Sequence, residues 1–247
     1  MSNKHVEYKR IVDGADVAVL FIHGILGTPN HFRDLIHLVP SDYSVYAMVT
    51  AGHCGTVSDF SKSSLEKWEQ SVQKAIDELL ETHNEIYLVG HSMGTLFSIE
   101  QAMKEPRIKK IFCISIPIKV LFRARMIPMA LKVYKNRIKE NEVYALALKE
   151  CYGCTDTKNI LKYLGWIPRF FDLFKLIKRV RKNLPKLVTP CVAYQSIPDE
   201  LVSPKSINIL KKESNIRVEV LEKSTHMYYE AKEMEYLQKE FVSFLNK

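Results

Sequence analysis

Residues 17–23 (VAVLFIH) form an unbroken apolar run, rich in β-branched side chains, that ends against a glycine. A strand of this kind has no polar face and has to be covered on both sides. Residues 44–49, 86–90 and 108–115 read as further strands. The stretches between them supply the cover. Over residues 64–81, Leu65, Trp68, Val72, Ala75, Ile76 and Leu79 recur at helical spacing, and 93–104 reads as a second helix. Residues 29–38 suit a short helix, with Thr28 as N-cap and Pro29 in the first turn. Strands alternating with helices imply an α/β fold: a mostly parallel sheet with helices on both faces. After Pro117 the alternation stops for about 70 residues of helical character. It then resumes with a strand over 188–195, a helix over 204–212, a strand over 216–221 and a helix over 230–245. The expected organisation is an α/β core, 1–116 and 187–247, carrying a helical lid insertion over 117–186. A chain of 247 residues fits one such domain.

The turn between the strand 86–90 and the helix 93–104 reads Gly90-His91-Ser92-Met93-Gly94. A GxSxG pattern recurs by chance, and a serine there can do no more than cap a helix. Placed between a buried strand and a helix it has the setting of a nucleophile elbow: a tight turn that lifts the serine hydroxyl above the strand ends and aims the helix N-terminus at it. The small residues two before and two after Ser92 keep side chains clear of the turn. A serine needs a base to take its proton, and the base needs a carboxylate to orient it. His226 follows the strand 216–221 and Asp199 follows the strand 188–195, so both fall at strand C-terminal ends, where ligands gather in open α/β sheets. His53, in the loop after the second strand, is the rival base. Glu200 is the nearest rival acid, with Asp156 and Asp172 more remote. An oxyanion hole needs two backbone N–H groups. Met93 directly follows the nucleophile; Ile25, in the loop His23-Gly24-Ile25-Leu26-Gly27, is the second candidate, with Leu26 as the alternative.

Together these segments resemble the α/β-hydrolase superfamily, and within it the bacterial carboxylesterase and monoacylglycerol-lipase-like serine hydrolases. FIHGILGTP matches an oxyanion loop, AGHCGT a glycine-rich loop after the second core strand, LVGHSMGT the elbow, and IPDELVSP with STHMYYE the acid and histidine loops. The likeness covers about 1–116 and 187–247. It implies the α/β-hydrolase fold and a serine carboxylic-ester hydrolase with catalytic residues Ser92, Asp199 and His226. The acyl-enzyme would form on small to medium-chain acyl esters or monoacylglycerol-like lipids, with no cofactor and no metal. Acyltransferases, peptidases, carbon–carbon-bond hydrolases and low-turnover ligand-binding proteins share the triad, and these readings stay open. A haloalkane dehalogenase would need an aspartate at position 92. Cys54 departs from the small residue common in the glycine-rich loop.

The insertion 117–186 sits outside the resemblance. It holds 17 Lys and Arg against 5 Asp and Glu, whereas the whole chain is +8, so the remainder is net acidic. Within it, RFFDLFKLIKRVRK (169–182) sets Phe170, Leu173, Phe174, Ile177 and Val180 on one helical stripe with most cations off it. Such a helix packs on a core with its charges solvated, or contacts an anionic membrane surface or anionic substrate. Leu26, Phe122, Met126, Trp166 and Phe170 are candidate walls of an acyl pocket; the insertion's residues equally suit a small core of its own. No nucleic-acid module is evident, so no nucleic-acid partner is expected. Five cysteines, Cys151 and Cys154 in a CxxC among them, give neither a disulfide framework nor four zinc ligands. The polar residues 1–10 lack an apolar signal core, and the expected location is the cytoplasm.

Overall fold

The computed structural model describes residues 6–246; residues 1–5, half of the polar N-terminal stretch, and residue 247 lie outside it. In chain order the elements are β1 (Tyr8–Arg10), β2 (Val17–Ile22), α1 (Arg33–Ile36), β3 (Ser44–Met48), α2 (Val57–Ser61), α3 (Leu65–Leu80), β4 (Glu85–His91), α4 (Met93–Ala102) and β5 (Ile108–Ile114). Then follow α5 (Met126–Tyr134), α6 (Val143–Cys151), α7 (Ile167–Asn183), β6 (Cys191–Ser196), α8 (Lys205–Leu210), β7 (Ile216–Leu221) and α9 (Ala231–Asn246). The seven strands form one sheet in the order β1-β3-β2-β4-β5-β6-β7. All neighbours are parallel except β1, which runs antiparallel to β3.

Alternation along the strands sorts the core into two layers. Ala18, Leu20 and Ile22 of β2 face one side with Trp68, Ile76 and Leu96 from α3 and α4. Val19 and Phe21 face the other side, against Phe32, Leu237 and Phe241. Every residue of β2, β3 and β6 is buried, which is the two-sided cover that their continuous apolar sequences demand.

Caps set several boundaries. Thr56 and Asp59 form a reciprocal capping box at α2, and Ser64 accepts the Lys67 N–H at the start of α3. The single helix expected over 29–38 is instead a 3₁₀ turn, Pro29–Phe32, followed by the one turn of α1. The strand expected from residue 188 begins at Cys191. Val188 is in solvent, and Pro190 has no N–H to give to a ladder. The short elements β1 and α2 have no counterpart in the sequence reading.

The segment between β5 and β6 is helical, as its sequence suggests. Its buried residues Trp166, Leu176, Ile177, Val180 and Leu184 join the main core rather than enclosing one of their own. The expected stripe on α7 divides: Ile177 and Val180 pack inward and Leu173 is partly buried, while Phe170 and Phe174 are exposed. The helix is rotated so that Leu176, not an aromatic residue, meets the core. Among the described residues no helix is long and apolar enough to cross a membrane.

Candidate active site

The strand order reverses between β2 and β4, which makes their C-terminal ends the topological switch point of the sheet. Ser92 sits there, on the turn from β4 into α4, with φ 50° and ψ −118°. A non-glycine residue with such backbone angles costs on the order of 1–3 kcal/mol and persists where its surroundings dictate it. Those surroundings are visible. The Ser92 N–H donates to the Ile114 carbonyl at 2.9 Å. A side chain at Gly94 would collide with the Ile22 carbonyl, and one at Gly90 would lie 2.7 Å from the Thr95 backbone. Both glycines are therefore required by close approach. Ser92 itself is 7% exposed.

The loop after β2 passes directly against Ser92: a Cβ on Gly24 would lie 3.0 Å from the Ser92 Cβ. Ile25 and Leu26 follow it, and Leu26 takes φ 54°. His23 fixes the base of this loop. Its Nδ1 donates to the Gly24 carbonyl at 2.8 Å while its Nε2 accepts the Thr50 N–H at 3.1 Å, an arrangement only the neutral ring can make. Burial lowers its pKa to about 4, against a smaller opposing effect of the Gly24 carbonyl. Met93 occupies the first position of α4, where an amide has no intrahelical carbonyl to bond.

Beyond β6 and β7 the structure brings Asp199 and His226 together. His226 Nδ1 and Asp199 Oδ2 are 2.8 Å apart, and both side chains are almost fully buried. Asp199 Oδ1 accepts the Leu201 and Val202 amides at 2.7 and 2.8 Å. Burial pushes the Asp199 carboxyl upward, but His226 and the two amides outweigh it and hold the carboxyl below its ordinary 3.8. The His226 loop is joined to the elbow by His91, whose Nε2 donates to the His226 carbonyl at 3.0 Å. The other side of the His91 ring stacks on His31 at 3.6 Å. Behind the loop, Glu233 accepts the N–H groups of Glu222, Lys223 and Ser224 and the Ser224 hydroxyl.

The rival residues have other duties. His53 turns Nδ1 toward the Thr50 and Ala51 carbonyls and packs on Phe60 and Trp68. Burial lowers its pKa to about 3. Asp156 accepts the Tyr152 and Tyr163 hydroxyls, and Asp172 pairs with Arg169 and Lys175. Glu200 is buried beside Asp199, yet its Oε2 accepts the His226 backbone N–H at 3.1 Å and its Oε1 pairs with Arg125 at 2.9 Å. It supports the histidine loop rather than the imidazole. The Asp-Glu pair in the sequence was the available signal for it; Arg125 and His91 had none.

The expected pocket walls differ widely in exposure. Phe122 is 64% exposed and Phe170 lies on the outer side of α7. Met126 begins α5, partly exposed, and Leu26 is half-buried in its loop. Trp166 is used as an anchor: Nε1 donates to the Val57 carbonyl at 3.1 Å and the ring packs on Phe60. Residues 153 and 155 meet the loops after β2 and β3 through backbone. The Gly153 N–H donates to the Leu26 carbonyl at 2.9 Å, and the Thr155 N–H donates to the Gly55 carbonyl at 2.8 Å. All five cysteines are free thiols. Among the described residues no group of His, Cys, Asp and Glu is arranged to hold a metal.

Residues 19–235, from β2 into α9, match the model of the alpha/beta hydrolase family. The chain belongs to that family. This alpha/beta hydrolase is 25% identical over 205 residues to a thermostable monoacylglycerol lipase of Bacillus sp. (strain H-257), covering 80% of this chain and 76% of that protein. It is 26% identical over 241 residues to a carboxylesterase of Bacillus subtilis (strain 168), covering 95% and 94%. A solved structure from work on the metagenome-derived lipolytic enzymes LipS and LipT superposes with TM-score 0.75 at 19% identity, over 99% of this chain and 98% of the other. At that identity the last likeness speaks for the fold.

Proposed function

We propose that this alpha/beta hydrolase is a serine carboxylic-ester hydrolase, with Ser92 as nucleophile, His226 as general base and Asp199 as its orienting acid. The observation that carries the reading is the Asp199–His226 pair at 2.8 Å, beside a histidine loop tied through His91 to the strained elbow that bears Ser92. The Asp199 carboxylate keeps the proton of the neutral imidazole on Nδ1, leaving Nε2 free to accept the Ser92 proton. The alkoxide oxygen forms a bond to the ester carbonyl carbon. The carbonyl oxygen becomes an oxyanion held by the amides of Met93 and Ile25. Collapse expels the alcohol, which takes the proton from His226. Water, deprotonated by the same histidine, then releases the acid from Ser92.

Small to medium-chain acyl esters or monoacylglycerol-like lipids are the proposed substrates. The carboxylesterase and monoacylglycerol lipase relatives support that class. The helical segment 117–186 is proposed to act as the lid over Ser92, since it grips the loops that carry Ile25 and Cys54. The decisive experiment is hydrolysis of p-nitrophenyl esters of graded acyl length by wild type and Ser92→Ala, together with fluorophosphonate labelling. Turnover and labelling that vanish in the variant support the reading. No turnover and no labelling in the wild type would overturn it.

A further inference from the structure

The outer face of α7 and the turn before it carry a surface that the proposed chemistry leaves unused. The 3₁₀ turn Ile160–Trp166 leads straight into α7. Ile160 is 71% exposed and Leu161 69%; Leu164 is 60% and Phe171 60%. Phe174 is nearly half exposed as well. These are large apolar side chains, contiguous along one turn and the first half of one helix. Single exposed apolar residues are ordinary on protein surfaces, whereas a continuous row of them marks a contact. The opposite side of α7 already packs inward through Leu176, Ile177 and Val180, so the outer row is surplus to folding.

The second half of the same face is basic. Lys178 and Arg181 continue the row of Ile167, Phe171 and Phe174 at helical spacing, with Lys175 and Lys182 on its flank. From 158 to 186 the only acidic residue is Asp172, which is buried and paired with Arg169 and Lys175. Arg179, by contrast, bonds Glu100 of α4 and Glu69 of α3. Among the exposed cations of this face only Lys175 has an acidic partner on the helix, Asp172.

An apolar row continued by cations fits a phase that is apolar within and anionic at its rim. We infer that the outer face of α7, with the turn before it, docks peripherally on an anionic lipid bilayer. The phenylalanines and aliphatic residues enter the headgroup–acyl boundary, and the lysines and arginine meet the lipid phosphates. A nucleic acid supplies the anions but no phase for Ile160, Leu164 and Phe171. α7 spans roughly 25 Å at 1.5 Å per residue, enough to lie in the interface plane. The inference stands independently of the esterase reading.

The test is cosedimentation of the full chain with vesicles of phosphatidylcholine alone and of phosphatidylcholine with about 30 mol % phosphatidylglycerol. The expected result is binding at least about tenfold tighter to the anionic vesicles at low salt, weakening as salt is raised. Phe171→Ser with Phe174→Ser, and separately Lys178→Glu with Arg181→Glu, are each expected to weaken that binding by about tenfold or more. Both pairs are exposed, and thermal unfolding checks that each variant folds. Equal binding to neutral vesicles, unaltered binding in both variants, or binding to a DNA duplex with none to vesicles would each overturn the inference. Because the readout is sedimentation, it is independent of whether any ester is hydrolysed.

Discussion

Two adjacent buried carboxylates, Asp199 and Glu200, are assigned different tasks, and exchanging each for its amide separates them. In Asp199→Asn the Leu201 and Val202 amides, at 2.7 and 2.8 Å from Oδ1, continue to demand an acceptor. They hold the amide oxygen on their side and leave the NH₂ facing His226 Nδ1. The ring then has to accept at Nδ1 and carry its proton on Nε2, where it is unable to take the Ser92 proton. In serine hydrolases where the equivalent change preserves geometry, the loss in kcat is about 10⁴, or roughly 5 kcal/mol of barrier. A loss of that order is expected here, with the fold intact.

Glu200→Gln acts elsewhere. Its amide oxygen can still accept the His226 N–H, but the charge facing Arg125 is gone. Arg125 is about half exposed, so that pair is discounted for solvent. The expected cost is about 1–2 kcal/mol of stability, a fall in melting temperature of about 2–8 °C for a chain of this size, with kcat kept within about tenfold. Steady-state turnover of a p-nitrophenyl ester and thermal unfolding by circular dichroism read both quantities. If Glu200→Gln loses more turnover than Asp199→Asn, or if Asp199→Asn keeps more than a hundredth of the activity, the assignment of the two carboxylates is wrong.

Other consequences are sharper in stability or reactivity than in rate. Burial holds His23 near 4, His53 near 3 and His91 well below 6.5. The unfolded chain takes up these protons near pH 6.5, whereas in the folded chain His23 resists until about 4, His53 until about 3, and His91 well below 6.5. Stability is therefore full above pH 6.5 and falls through that window, by up to about 1.4 kcal/mol per pH unit for each histidine. The melting temperature is expected to drop on the order of 10 °C from pH 7 to 5, and His53→Gln to flatten the slope; a flat profile in the wild type would refute this. Gly153→Ala would drive a methyl into Thr28 and to 2.7 Å from the Gly27 carbonyl, so kcat on a short ester should fall about tenfold with KM little changed. Unaltered kinetics would show that the 151–155 segment does not hold the oxyanion loop. Burial pushes Cys54 up to about 12 and Cys154 up to about 11, so alkylation at neutral pH should be slow. Turnover should be indifferent to iodoacetamide and to EDTA; inactivation by either would revive a thiol or metal role for the CxxC.

The sheet was legible because β2, β3, β4 and β6 are covered on both faces and so read as unbroken apolar runs. The loop of Asp199 follows such a strand, β6, whereas that of His226 follows β7, which is covered only in part. What escaped was set by tertiary contact. β1 is three residues long and exposed, so no periodicity can show in it. Nothing local in 169–182 says which way α7 turns: Phe174 and Leu173 are equally apolar, and only the docking of Leu176 and Val180 against the core decides that the phenylalanine stays outside. Trp166 looked like a pocket wall because a tryptophan in a helical insertion has no visible partner; its partner, the Val57 carbonyl, lies 109 residues earlier.

The contacts of the 117–186 segment tie it to the loops that carry the proposed acid and oxyanion donor. The Leu121 and Arg123 amides donate to the Leu201 and Glu200 carbonyls, the Ser203 amide donates to the Lys119 carbonyl, and Arg125 reaches the Pro198 carbonyl and Glu200. These bonds brace both sides of Asp199. In the middle of the segment, Gly153 holds Leu26 and Thr155 holds Gly55. The sheet alone fixes Ser92, through Ile114 and the close approach of Gly94 to Ile22. The carboxylate loop and the proposed oxyanion loop, by contrast, each depend on hydrogen bonds from the segment above them. Movement of this segment would therefore reach the proposed acid and oxyanion loops. A graft of a different helical segment onto this sheet would be expected to lower kcat even on a small ester that needs no pocket, because the amides bracing residues 26 and 199–203 would go with it.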